Sequence, residues 1–591
     1  MKKILALLLA VVMCFGILAA CGEADAPPPP PPPPPTPPTQ NDPPPPPVAG
    51  KSDRQLLAEQ YGLPYDPAMD AWEPITFTYF VRNANEPPAA DNPIIKIVEE
   101  ITNVKIDFQF NLTDLDTAMG VMLAGGDVPD MAFFGGEAAA AIDSGHFMPI
   151  DDLIDQYAPR LRAHYDPWWG LMKHSDGRIY TAEIYGTPVG TQTILWQNQS
   201  AFWLQKDVLD HYGRAPKDID EYFDFIRGYK DLNPTIDGVP TVGFAIESFG
   251  WQNFGVANSG YFLAGNANWG GAVNTGGDHF DAPITPANRW TADFNKSWWG
   301  KLNEEFHLGT FSAETFTLTH DEYLAQIATG VVLGMHDQGW NFSSGEQPLI
   351  AEGRYERTYL PLALTYGNAE PNYLDARSFT GSNGINISAN ISDPIRAIQY
   401  LDWIIDESVQ RFLEWGIEGE HYYYDDNGRI ARPQEQRELQ NDQRWGYDNL
   451  GRMLRDQMPK MQGSYPSDDN PTDPSQSPEE YFAGLTGYDR ELFAKLGIYS
   501  MSGFWGEPKP RPPYYPYWSM NPADGSEAQL AGQRIDDIVR GGQVANMIIA
   551  PQGEFEAHWA AYLDAINAID QKPIMDFFAE EAARRMAAFG G

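Results

Sequence analysis

Two tryptophans sit where an aromatic ring would meet a ligand more readily than a core. Trp251 lies in GWQNFG, and Trp340 is bracketed by Gly339 and Asn341. An indole in such a polar, glycine-bracketed loop can lie flat on an apolar face while Asp, Glu, Asn, Gln or Arg bonds the polar rim of the same molecule. A flat C–H face ringed by hydroxyls is what a sugar offers, so the chemistry these residues suit is binding of a polyhydroxylated solute. Trp298 and Trp299 differ: they precede Leu302 and Phe306 at helical spacing and read as packing.

The same residue types admit glycoside hydrolysis, which uses paired carboxylates. Among 81 Asp and Glu, however, abundance singles out no pair. Gly-x-Ser-x-Gly, His-Glu-x-x-His and phosphate-loop patterns do not occur in the sequence. Cys14 and Cys21 are its two cysteines, both near the start, so the body has no thiol nucleophile, cysteine-bound zinc or disulfide. A net charge of −41 without a Lys/Arg cluster argues against nucleic acid and makes a polyanionic ligand less suitable.

Upstream, Lys2 and Lys3 precede an apolar run over 4–20 that ends in Leu18, Ala19, Ala20 and then Cys21. This resembles a bacterial lipoprotein signal. The resemblance implies that residues 1–20 are removed and that Cys21 carries the lipid (palmitate), anchoring the chain on the extracytoplasmic face of the cell membrane. The alternative is an ordinary secretory signal with an incidental cysteine. Later apolar runs are too short to cross a bilayer. Residues 27–47 are mostly proline, which favours extended polyproline II at ~3.1 Å per residue and a reach of roughly 65 Å. Residues 21–50 thus form a lipid-anchored spacer.

The elements that must carry the site begin with a strand in which Ile75, Phe77, Tyr79 and Val81 alternate inward. Asn92 as N-cap and Pro93 as first helical residue start a helix with Ile94, Ile97, Val98 and Ile101 on one face. A second strand holds Val104, Ile106, Phe108 and Phe110, completing a βαβ unit of an α/β fold. A helix over 117–124 follows, and a later one starts at Asp218 with Tyr222, Phe225, Ile226 and Tyr229 in a stripe.

GGDVPDMAFFGG at 125–136 resembles the Gly-Asp-x-Pro-Asp turn and third strand of extracellular solute-binding proteins of the carbohydrate-binding type, the family of maltose-binding protein. Its companions occur in that family's order: SDGRIYTAEIYGTP at 175–188 (with an insertion between Tyr180 and Gly186), the helix pair in 204–231, QIATGVVLGMHDQGW at 326–340, and the strand at 384–388 with the helix after Asp393 and Pro394. WGIEGEHYYYDDNGRI at 415–430 resembles a segment of the large-bodied subgroup that includes alginate oligosaccharide binders and the lipoprotein LipO. Read for structure alone, it is a hairpin turning at Asn427-Gly428. Tyr422, Tyr423 and Tyr424 are cross-strand pairs or cleft lining.

The resemblance covers roughly residues 75–585. It implies a periplasmic-binding-protein-like α/β fold of two lobes with hinge-linked, parallel-rich sheets, binding a carbohydrate, in particular an oligosaccharide, for an ABC permease, with no catalysis and no cofactor. It places Arg82 and Asn83 after the first strand and Phe134 and Glu137 after the third, with Trp251 and Trp340 facing them from the other lobe. The expected lobes are 75–188 with 360–415 and 190–357 with 416–591, with hinges near 188–192, 357–362 and Gly416. Asp231, Asn233 and Asp237 are too few oxygen ligands for the calcium loop of alginate-type members, so no metal is expected. The competing functions are a secreted glycoside-active enzyme, and a peptide-binding or sensor lipoprotein on the same fold.

Overall fold

A computed structural model describes residues 50–591 apart from 83–85, 112–114, 136–137, 192, 196–198, 249, 267–289, 375–378, 382, 441, 506–519, 524 and 591. The signal, Cys21, the proline tract, Asn83, Glu137 and Gln192 therefore lie outside the described residues.

Strand β1 (Ile75–Val81) buries Phe77, Tyr79 and Val81 on one face. Asn92 accepts a hydrogen bond from the Ile95 amide at 3.0 Å and, with Pro93 at the first position, opens the helix Pro93–Thr102, whose Ile94, Val98 and Ile101 are fully buried. Strand β2 (Val104–Phe110) then pairs in parallel with β1 along its whole length. Asp130, the last acid of the Gly-Asp-x-Pro-Asp turn, accepts from the Thr78 amide and hydroxyl, both at 2.9 Å. That ties β3 (Met131–Phe133) alongside β1.

The remaining strands of the two main sheets are β4 (Thr181–Glu183), β5 (Ser200–Gln205), β6 (Val242–Ala245), β7 (Val332–Gln338), β8 (Tyr359–Leu362) and β9 (Gly384–Ile387). One sheet has the order β2-β1-β3-β9-β4 and the other β8-β5-β7-β6. Each is mixed: β1 is parallel to β2 and β3, and β7 to β6, while β9 and β5 run against their neighbours. Each sheet anchors its own hydrophobic core, giving an α/β molecule of two lobes.

Core membership differs from the division drawn from the sequence. Residues 359–362 hydrogen-bond to β5 and join the second sheet. Tyr373 and Leu374 also pack in the second core and Phe379 in the first, so the passage lies beyond 357–362. Gly416 ends the helix Glu407–Trp415, yet Leu450, Met453, Leu454 and Met458 return to the first core. Among the described residues, the chain leaves that core between Met461 and Tyr481 and does not rejoin it. Ala58, Leu63 and Met69, ahead of the first strand, complete the first core.

The helix expected from Pro394 onward is two, Pro394–Ile404 and Glu407–Trp415, because Asp406 caps the second through the Ser408 amide. The tyrosine hairpin forms by pairing Tyr423 with Ala431 and Tyr424 with Ile430. Its loop is not a two-residue Asn-Gly turn. Asp425 closes residues 425–429 through its side chain and carbonyl, and only Gly428 takes positive φ. Tyr422 packs with Trp415, Ile430 and Tyr465, whereas Tyr423 and Tyr424 are exposed. The helix expected over 117–124 spans Leu115–Gly125. Among the described residues no helix is long and apolar enough to cross a membrane.

Candidate functional site

Strands β6 and β7 are parallel neighbours, so the loops after them leave the same sheet edge. The first loop carries Trp251, and the second opens directly into the helix Gly339–Ala351 with Trp340 in its first turn. The two indoles stack, 5.9 Å between centroids and 20° between planes, and Phe254 stands edge-on to both at 5.9 and 5.6 Å. Trp251 is 57% and Trp340 42% exposed. Large rings left in solvent yet held in mutual contact make a platform for the apolar face of a ligand.

The platform rests on fixed elements. Trp298 and Trp299, fully buried as their spacing predicts, donate their indole N–H groups to the carbonyls of Gly255 (2.8 Å) and Val256 (3.0 Å). They thereby hold the short helix Phe254–Ala257. Beneath the rings runs a polar cluster of Glu247, Gln252, His320, Tyr323, Asp337 and Asn341. Burial, reinforced by the Glu247 carboxyl, pushes Asp337 up to about 7. The hydrogen bond to Glu247 lifts His320 above its usual value.

At the corresponding edge of the first sheet, Arg82 donates to the Phe134 carbonyl at 3.1 Å and its guanidinium lies 5.9 Å from the Phe133 ring centre. Gly135 is required beside it: its φ is +69°, and a Cβ there would come within 1.9 Å of Arg82 Nη1. Tyr185, 42% exposed, meets Phe133 edge-on at 5.8 Å. It follows Glu183, whose buried carboxyl accepts from Thr380 Oγ1 (2.6 Å) and the Tyr185 amide (3.0 Å) and is pushed up to about 7 by burial. Phe134, expected as a stacking ring, is a core residue. It is fully buried between Phe80 and Phe147, because the third strand ends with its side chain turned under the helix Ala138–Asp143.

The chain passes between the two cores near Thr187–Val189, which pairs in parallel with Met461–Gly463. A cavity of about 550 Å³ lies beside the Gly135 edge, walled by Ala138, Tyr180 and Thr380 on one side and by Phe577, Glu581 and Arg584 of the terminal helix on the other. Asp231, Asn233 and Asp237 lie at or near the hairpin of Thr235–Ile236 with Val239–Pro240. There Asp237 and Gly238 take positive φ and Asp237 binds Arg354 at 2.7 Å.

A family model described as bacterial extracellular solute-binding protein matches residues 83–411, more than half of the chain. The chain belongs to that family. This solute-binding protein is 29% identical over 156 residues to the fructooligosaccharide ABC transporter substrate-binding protein FusA of Streptococcus pneumoniae, a match that spans 24% of this chain and 28% of that one. Among solved structures it resembles FusA in complex with kestose (TM-score 0.59, 16% identity, 87% of this chain and 100% of that one). It also resembles an HMO-binding solute-binding protein from Bifidobacterium longum infantis (0.58, 14%, 87% and 99%). The alginate-binding protein AlgQ2 without calcium ion is similar as well (0.55, 15%, 86% and 98%). These likenesses show the two-lobed fold.

Of the residues expected at the site of this solute-binding protein, the structure brings Trp251 and Trp340 together, sets Arg82 at the edge of the other sheet and withdraws Phe134. Tyr185, Phe254 and the buried cluster were not singled out in the sequence. Tyr185 stands within the insertion that interrupts SDGRIYTAEIYGTP, and that interruption was the available signal.

Proposed function

We propose that the protein is a lipid-anchored, extracytoplasmic binder that captures an oligosaccharide and delivers it to an ABC permease. The observation that carries the ligand class is the exposed, stacked Trp251–Trp340 pair above a buried polar cluster. Rings of this kind favour the C–H faces of sugars, and relatives of the same fold bind kestose and alginate. Arg82 and Tyr185 supply rim contacts from the other lobe, with Asn83 next to Arg82 in the chain and Glu137 two residues after Gly135. Core membership supports lobe boundaries between Ile184 and Ile194, between Leu374 and Phe379, and between Met461 and Tyr481. Ligand binding favours the closed arrangement of the lobes, which a permease would recognise. The protein catalyses nothing and needs no metal or cofactor.

Calorimetric titration with maltotriose, kestose, cellotriose and an alginate trisaccharide tests the reading. At least one sugar binds, and Trp340→Ala or Trp251→Ala weakens it by about 10- to 100-fold, as loss of a central aromatic anchor does. Binding of short peptides and of no sugar, or cleavage of the sugar, would overturn it. The anchor is tested separately by fractionation. Cys21→Ala is released from the membrane with unchanged sugar affinity, and a variant still membrane-bound would mean that lipid on Cys21 is not the anchor.

A further inference from the structure

The platform joins two segments far apart in sequence, and each tryptophan is followed by an amide. Gln252 Nε2 donates to Asn341 Oδ1 at 2.7 Å. Asn341 Nδ2 in turn donates to Glu247 Oε2 at 2.6 Å and to the Asp337 carboxyl at 3.1 and 3.2 Å. An amide has one acceptor oxygen and one donor nitrogen, so this orientation alone uses both ends of Asn341. Reversed, it would set its oxygen against two carboxyl groups.

The far ends are fixed as well. Asp337 accepts from Tyr323 Oη at 2.8 Å and the Gln338 amide at 2.6 Å, and Glu247 Oε1 faces His320 Nδ1 at 2.8 Å. Gln252 Nε2 lies 3.2 Å from that same ring nitrogen. One nitrogen cannot accept from the amide and donate to the carboxyl at once, and the bond to a charged partner is the stronger. Gln252 is therefore held chiefly through Asn341. Glu247, Asp337 and Asn341 are buried, so each broken link leaves a polar group without water.

We propose that Gln252 and Asn341 are positioning residues for ligand capture: their relay locks the indoles of Trp251 and Trp340 into one register before ligand arrives. A loop that is already ordered has less entropy to lose on binding, so the relay raises affinity without touching the ligand. This rests on the carbohydrate reading of the platform, and its test is built to separate the two.

Stacked indoles 5.9 Å apart give an exciton couplet in circular dichroism that depends on a fixed mutual orientation and needs no ligand. Trp251→Phe sets the baseline without it. Gln252→Met keeps the side-chain length and removes the donor, at a half-buried position where folding is preserved. Asn341→Leu removes both ends of the relay. In ligand-free protein both variants lose at least about half of the couplet, and Gln252→Met, still melting in one cooperative transition, binds the tightest sugar of the panel about tenfold more weakly. A wild-type couplet in Gln252→Met overturns the relay, as does a lost couplet with unchanged affinity. Failure of every sugar to bind the wild type would overturn the carbohydrate reading instead, and the couplet would still decide the relay.

Discussion

Burial, reinforced by the neighbouring Glu247 carboxyl, outweighs the hydrogen bonds that Tyr323, Asn341 and the Gln338 amide donate to Asp337, so its ionisation is coupled to the fold. With its folded value near 7 against an ordinary 3.8, the native protein keeps a proton that the unfolded chain has released. Stability therefore falls as pH rises between those two values. Glu183, also pushed up to about 7, and His320, lifted by Glu247, act in the same direction. His164 and His336 act oppositely. Burial lowers them to about 4 and about 3, so the native state refuses protons that the unfolded chain takes up below 6.5, and stability drops on acidification. The melting temperature should pass through a maximum in the mildly acid range. Asp337→Asn should remove the part of the decline that Asp337 contributes between pH 3.8 and about 7 and leave the losses contributed by His164 and His336 as they were. Calorimetric melting in steps of pH checks this, and an unchanged slope in the variant would mean that Asp337 is ionised throughout.

At the scale of elements, what could be read from the sequence was what is local. Asn92-Pro93, the alternation in 75–81 and the stripe Tyr222, Phe225, Ile226, Tyr229 each state their structure within one turn or strand, and the structure follows them. Where a local signal has competitors it misleads. Asn427-Gly428 reads as a two-residue turn, but Asp425 offers the backbone a side-chain acceptor and closes a longer loop, while Asp237-Gly238, lacking such a rival, makes the tight turn. Asp406 likewise stops a helix whose apolar spacing runs on unbroken. Phe134 could not be sorted between core and cleft, because a strand end alternates sides and the partner faces, Phe80 and Phe147, come from other elements. The tryptophan platform was half legible. Glycine and polar neighbours marked each ring as exposed, but their stacking and the shared relay depend on β6 and β7 being parallel neighbours, a tertiary fact with no trace in either loop.

At the scale of the whole molecule, two of the passages between the cores are hydrogen-bonded to each other, so they cannot bend independently. Thr187–Val189 lies in parallel register with Met461–Gly463, and the Thr191 amide donates to Ser464 Oγ at 2.7 Å. Gly190 makes this junction possible. Its φ is +52°, and a Cβ would lie 2.3 Å from Ser464 Oγ and 2.6 Å from the Ser464 carbonyl oxygen. Gly190→Ala must therefore both strain its backbone and push the two passages apart. Gly238→Ala separates these effects, since Gly238 has φ +81° but open space around it. Both variants should lose about 1–3 kcal/mol of stability from the left-handed backbone. Only Gly190→Ala should also change how the lobes respond to sugar, seen as a smaller drop in the radius of gyration by X-ray scattering when ligand is added. Equal compaction in the two variants would mean that the paired passages do not govern closure.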